Sequence, residues 1–181
     1  MSIRGACGVI FAAAAVMTLG SVPGRERAVV ADAGARVEAL EAAVAAHPAE
    51  LASRIELAQA YLDVESPGLA LSTLSSAPES QQSQPQVEHM IARVMIEQGR
   101  AKDALALEEK VLSTCGGDLP SVGHPATATG CDFWLVVSAT RRAEILAQLV
   151  QRGVEDPIAQ PEASLVAYHN ATHEARVALV E

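Results

Sequence analysis

Shifting the chain against itself by 34 residues lays small residues on small and large apolar residues on large apolar. Leu57 falls on Ile91, Ala58 on Ala92, Tyr61 on Met95 and Leu62 on Ile96. Further along, Ala70 falls on Ala104, Leu71 on Leu105 and Ala77 on Val111. In the other direction Leu74 falls on Leu40, Ala77 on Ala43 and Leu71 on Val37. A period of about 34 residues belongs to a helix-turn-helix unit that cannot bury its apolar face alone and must stack on neighbours. The stretch Ile55 to Leu74, interrupted by Pro67-Gly68, is then one such unit. Function is to be sought on a surface of stacked helices before a catalytic cleft.

The residues that coincide follow a motif. Leu57-Ala58-x-x-Tyr61 lies on the first helix of the unit, Ala70-x-x-x-Leu74-x-x-Ala77 on the second, and Pro48 ends the preceding unit. The next unit has Ile91-Ala92-x-x-Met95, then Gly99 at the turn, Ala104 and Val111. This pattern resembles the tetratricopeptide repeat over roughly Arg36 to Leu112. Arg54 and Glu88 depart from it where the family usually carries an aromatic residue, and Glu108 departs where Leu74 sits one unit earlier. The resemblance implies a short all-α solenoid whose first helices line a concave face for a peptide or helix of a protein partner. Carried over by position, that face comprises Ile55, Gln59 and Leu62 in one unit and His89, Arg93 and Ile96 in the next. The alternative is that Ile55, Leu62 and Ile96 bury against the neighbouring helix.

Composition agrees with close-packed helices. Half the residues are apolar but only 3% are aromatic, which suits small-residue helix contacts better than a β-sandwich. A net charge of −9 argues against nucleic acid as a partner, which calls for a basic surface.

The first residues read as an export signal. Arg4 precedes the uncharged run Ala6 to Leu19, and Gly20 and Pro23 end it. The run is short for a membrane span of about 20 residues, although an uncleaved anchor is the alternative. Residues 1–33 are therefore assigned to signal and linker, leaving a protein that is exported, either periplasmic or secreted. Two cysteines then remain, Cys115 and Cys131, around a Gly-, Pro- and Thr-rich stretch. An even count in an exported chain implies a bridge, stabilising by roughly 3 kcal/mol in the chain-entropy model. Residues 34–114 form the helical repeats, 115–131 a Cys-bracketed loop and 132–181 a C-terminal helical pair.

Phe133 to Arg152 is expected to be a helix with Phe133, Trp134, Val137, Ile145, Leu146, Leu149 and Val150 toward the core. Its Ile145-Leu146-x-x-Leu149-x-x-x-Gly153 echoes Ile91-Ala92-x-x-Met95-x-x-x-Gly99. Pro161 then opens a final helix that caps the stack. His169 and His173 share a face of that helix, a spacing that holds a metal only with a third ligand. His124 with Ser121, Thr127 and Thr129 lacks any motif that orients a nucleophile. Arg141-Arg142 reads as a solvated basic spot. No metal, cofactor or catalytic residue is assigned, and the chain is expected not to be an enzyme. The expectation is a protein-binding adaptor, with self-association or docking on a larger helical array open to it. The alternative is a small metal- or redox-linked exported protein using His169, His173 and the cysteine pair.

Overall fold

The computed structural model describes the backbone of residues 23–116 and 130–178, with side chains over 32–116 and 130–172. Within them the chain is all-helical, with no strand. The apolar run at Ala6 to Leu19, and Ser121, His124, Thr127 and Thr129, lie outside the described residues. No helix among the described residues is long and apolar enough to cross a membrane.

Helix α1 (Pro23–Ala46) is followed by α2 (Leu51–Asp63), α3 (Pro67–Ser75), the single turn α4 (Glu79–Gln82), α5 (Pro85–Glu97), α6 (Ala101–Thr114), α7 (Phe133–Gln151) and α8 (Pro161–Ala178). α1 crosses residues 33–34, where the linker was expected to give way to the repeats. Proline opens α1, α3, α5 and α8. At the first helical position it loses no hydrogen bond, and its fixed φ already suits a helix. α2 and α5 begin 34 residues apart, as do α3 and α6.

The turns repeat as the helices do. After α2, α5 and α7 one residue takes a left-handed backbone, Glu65 at φ 55°, Gly99 at 72° and Gly153 at 72°. The next amide then reaches back five residues: Ser66 N to Tyr61 O at 2.8 Å, Arg100 N to Met95 O at 2.8 Å, Val154 N to Leu149 O at 3.0 Å. This cap satisfies carbonyls that a helix end leaves orphaned, and it folds the following helix back on the one before.

The hairpins meet through small residues. Ala58, Ala70, Ala92 and Ala104 are each 0% exposed, so the helices approach closely there. One apolar core gathers Leu57, Tyr61, Leu74, Val87 and Val94, with Val37 and Leu40 of α1 packed on it. A second joins Ala92 and Ala104 to Leu146, Leu149 and Ala167 across α5 to α8. Leu74 and Leu146, essentially without exposure, each contribute roughly 2–3 kcal/mol of burial. Turn also rests on turn, since Ala101 N donates to Glu155 O at 3.0 Å.

Cys115 and Cys131 are disulfide-bonded, with Cα atoms 5.7 Å apart. Cys115 is the C-cap of α6, and Cys131 immediately precedes Asp132, whose carboxylate caps α7 by accepting from Leu135 N at 2.8 Å. The α7 core face corrects the sequence expectation. Leu135, Val136, Ala139, Leu146 and Leu149 are buried, whereas Trp134 is 71% exposed and stacks edge-on to Phe133. Leu135 and Val136 precede Ala139 by four and three residues, Leu146 follows seven later and Leu149 three after that, a helical face that leaves Trp134 outside.

Gly99 supplies a stability test. A Cβ there would stand 2.6 Å from Asp156 Cγ, on a carboxylate pinned by the amides of Ile158 and Ala159. Gly99→Ala is expected to destabilise by at least about 1–2 kcal/mol, the left-handed penalty alone. Glu65→Gly, which relieves that penalty at the equivalent turn, is expected to gain up to about 1 kcal/mol. Urea unfolding of both variants checks the pair.

Candidate functional site

The turn residues set a common register for α2, α5 and α7. Eleven positions before Glu65, Gly99 and Gly153 stand Arg54, Glu88 and Arg142, a charged residue each time. Arg54 and Glu88 are 5% and 3% exposed, so these departures from the repeat pattern are interior groups. Arg54 donates to Thr73 O and Ser76 Oγ at the end of α3 and to Pro48 O, each at 2.9 Å. A cation at a helix C-terminus is favoured by the carbonyls and the dipole there. Glu88 pairs with Lys110 of α6 at 2.5 Å, the lysine stem leading its ammonium outward.

Glu108 is the third interior charge, 0% exposed and one repeat after Leu74. Its Oε1 accepts from Arg142 Nη1 at 2.7 Å and its Oε2 lies 2.7 Å from His89 Nδ1. His89 Nε2 stands 3.1 Å from Ser138 Oγ, and Arg142 Nη1 also donates to the His89 carbonyl at 2.9 Å. Taking a carboxylate out of water costs several kcal/mol, and two charge-assisted contacts are what offset it. Arg142 is therefore no solvated surface charge, which corrects the basic-spot reading. Its neighbour Arg141 faces α8, donating to Tyr168 Oη at 2.6 Å with its guanidinium over the ring.

The six residues assigned to the concave face divide by polarity. Leu62 is buried in the first core, while Ile55 packs against that core and Ile96 against the second. Gln59 and Arg93, equivalent residues of consecutive units, are brought together by a hydrogen bond from Arg93 Nη1 to Gln59 Oε1. Gln59 Nε2 donates to Asp63 Oδ1 at 2.6 Å, and Asp63 Oδ2 meets Arg36 of α1 at 3.4 Å. His89 lies one helical turn before Arg93. A polar line thus crosses α1, α2, α5 and α7, from Arg36 through Asp63, Gln59 and Arg93 to His89 and Ser138. Sequence reading placed Gln59, Arg93 and His89 on the candidate face, but took Glu108 as a mismatch to the repeat and Arg142 as a basic spot, and assigned nothing to Ser138. An acidic residue at an apolar repeat position was the available signal for Glu108.

His169 is exposed, with Tyr168 edge-on at 6.1 Å, while the His173 side chain lies outside the described residues. Among the described residues no three His, Cys, Asp or Glu side chains gather as a metal site. No protein-family model, curated protein or solved structure matches the chain.

Two stability outcomes follow from the charges. Glu108→Ala strands Arg142 and His89, and is expected to cost about 3–5 kcal/mol in urea unfolding. Replacing Glu108 and Arg142 together by leucine is expected to recover much of that loss. Tyr61 donates to Glu41 Oε1 at 2.5 Å. That hydrogen bond foremost, then burial and the carboxylate charge, raises the phenol above its ordinary range. The unfolded chain therefore loses this proton first as pH rises, so its contribution is complete below about pH 10 and declines above it. Melting temperatures across alkaline pH should fall less steeply in Tyr61→Phe than in the unsubstituted chain.

Proposed function

We propose that this chain is an exported, tetratricopeptide-like adaptor that holds a peptide or helix of another protein on its first helices. The observation that carries the reading is the 34-residue recurrence of helix starts together with the left-handed turns at Glu65 and Gly99. Gly153, with the same back-bond, extends the turn geometry to α7, as a third unit displaced by the Cys-bracketed segment requires. Stacked hairpins of one design present their first helices side by side, and such a surface suits an extended or helical ligand.

The ligand side is the polar line. Arg93 is half-buried and bonded to the neutral Gln59, which leaves its guanidinium donors suited to carboxylates or carbonyls of a partner. The apolar members Ile55, Leu62 and Ile96 serve the cores, so recognition on this reading is chiefly polar. Export is supported by the Cys115–Cys131 bridge, since such bonds persist mainly in oxidising compartments.

Cross-linked co-purification of the tagged full chain from its host's exported fraction tests this. A stoichiometric protein partner is expected, with recovery falling at least about tenfold in Arg93→Glu, a loss of about 1.4 kcal/mol. Lys102→Glu, an exposed change on α6, is expected to retain it. A partner kept equally by Arg93→Glu places the contact off this line, and the lack of any partner refutes the adaptor.

A further inference from the structure

Ser138, His89 and Glu108 stand in a relay that peptide docking does not require. His89 Nδ1 is 2.7 Å from Glu108 Oε2, and His89 Nε2 is 3.1 Å from Ser138 Oγ. An ionised carboxylate only accepts hydrogen bonds. In the neutral imidazole the proton therefore sits on Nδ1, and the Nε2 lone pair faces the serine hydroxyl. Arg142, bound to the other oxygen of Glu108, holds that carboxylate in place. Both separations lie inside the reach of about 2.6–3.2 Å over which a base takes a nucleophile's proton and a third group fixes the base. α5, α6 and α7 contribute one residue each.

We propose that Ser138 is an acyl-accepting nucleophile, with His89 as its base and Glu108 as the residue that orients the base, acting on small activated esters. Ser138 Oγ adds to the ester carbonyl carbon as its proton passes to His89 Nε2. The adduct collapses by breaking the bond to the alkoxy group, which takes that proton and departs as an alcohol. An acyl-serine ester remains. Water then returns along the same path: its oxygen adds to the acyl carbon, its proton goes to Nε2, and Ser138 Oγ leaves and regains a proton as the carboxylic acid is released. No oxidant, reductant or cofactor enters the balance.

The surroundings set substrate size and rate. Ser138 is half-buried and the His89 side chain keeps 14% of its exposure, so the substrates proposed are restricted to small esters that reach a partly covered hydroxyl. α7 runs unbroken from Phe133 to Gln151, so the amides beside Ser138 are engaged within the helix and form no oxyanion hole. One missing donor costs about 10²–10³ in rate. The first half-reaction, read as a slow single acylation, is therefore the observable one, and rapid turnover is not expected.

The test uses the intact full chain, a fluorophosphonate probe and p-nitrophenyl acetate, with every serine adduct located by peptide mass mapping. Ser138 is expected to react at least about tenfold faster than the exposed Ser72 and Ser113 of the same molecules, general-base help being typically about 10²–10⁴-fold. The Ser138 adduct is absent from Ser138→Ala. His89→Gln, shown to be folded by circular dichroism and melting temperature, should slow the Ser138 reaction by at least about tenfold. Ser138 reacting no faster than Ser72 and Ser113 overturns the proposal, and that comparison needs no variant to fold. An unchanged rate in folded His89→Gln overturns it as well. Either failure leaves the adaptor reading intact, because partner recovery is read independently with Arg93→Glu.

Discussion

The left-handed turn that closes each helical hairpin is the constraint on which the other features rest. One residue of positive φ and one amide reaching back five residues reverse the chain in the same way after α2, α5 and α7. The reversal fixes the angle at which the second helix returns, and so decides which side chains can meet. Ala58 with Ala70, and Ala92 with Ala104, are then fully buried in the two cores, where small side chains let helices pack closely. The same register places Arg54, Glu88 and Arg142 at one distance from the turns that end α2, α5 and α7.

Those three positions show how polar groups can occupy a small helical core. Each charge meets a specific partner on a neighbouring element: helix-end carbonyls for Arg54, Lys110 for Glu88, Glu108 for Arg142. An apolar core would tolerate sliding of one helix past the next by a turn, since leucine meets leucine either way. A buried carboxylate does not, because a slip separates it from its cation in a medium that screens charge poorly. For Glu108 the partners come from α5 and α7 together, so one side chain holds three helices in register.

Much of the helical architecture was legible because its determinants are local. Small and large apolar residues recur at fixed spacing, and Gly99 and Gly153 mark turns in plain view. Glu65 does not, because a glutamate carries no preference for the left-handed region and its conformation follows from the hairpin around it. Trp134 shows a limit of periodicity. A run of five apolar residues at the start of α7 fits several phases of a helix, and contacts with α6 choose the one that leaves the tryptophan outside. The Ser138–His89–Glu108 relay was illegible for another reason. Its members are 19 and 49 residues apart, and only the stacking of α5, α6 and α7 makes them neighbours. Glu108 appears in sequence as a mismatch to an apolar pattern, and its meaning depends on a histidine and an arginine that no local window contains.

The Cys115–Cys131 bond changes what chain length means in this molecule. It joins the C-cap of α6 to the residue before the cap of α7, so the covalent path between these helices runs through sulfur as well as through the backbone. Once the bond is made, the entropy of bringing α6 and α7 together no longer depends on how many residues lie between the cysteines. The helices behave as though joined by a tight turn, and their contacts count as near neighbours in the topology that governs folding speed. Selection is thereby free to lengthen, shorten or rewrite the intervening segment with little consequence for the hairpin stack. The bridge thus separates a stretch of sequence that can diverge from one that must keep its spacing.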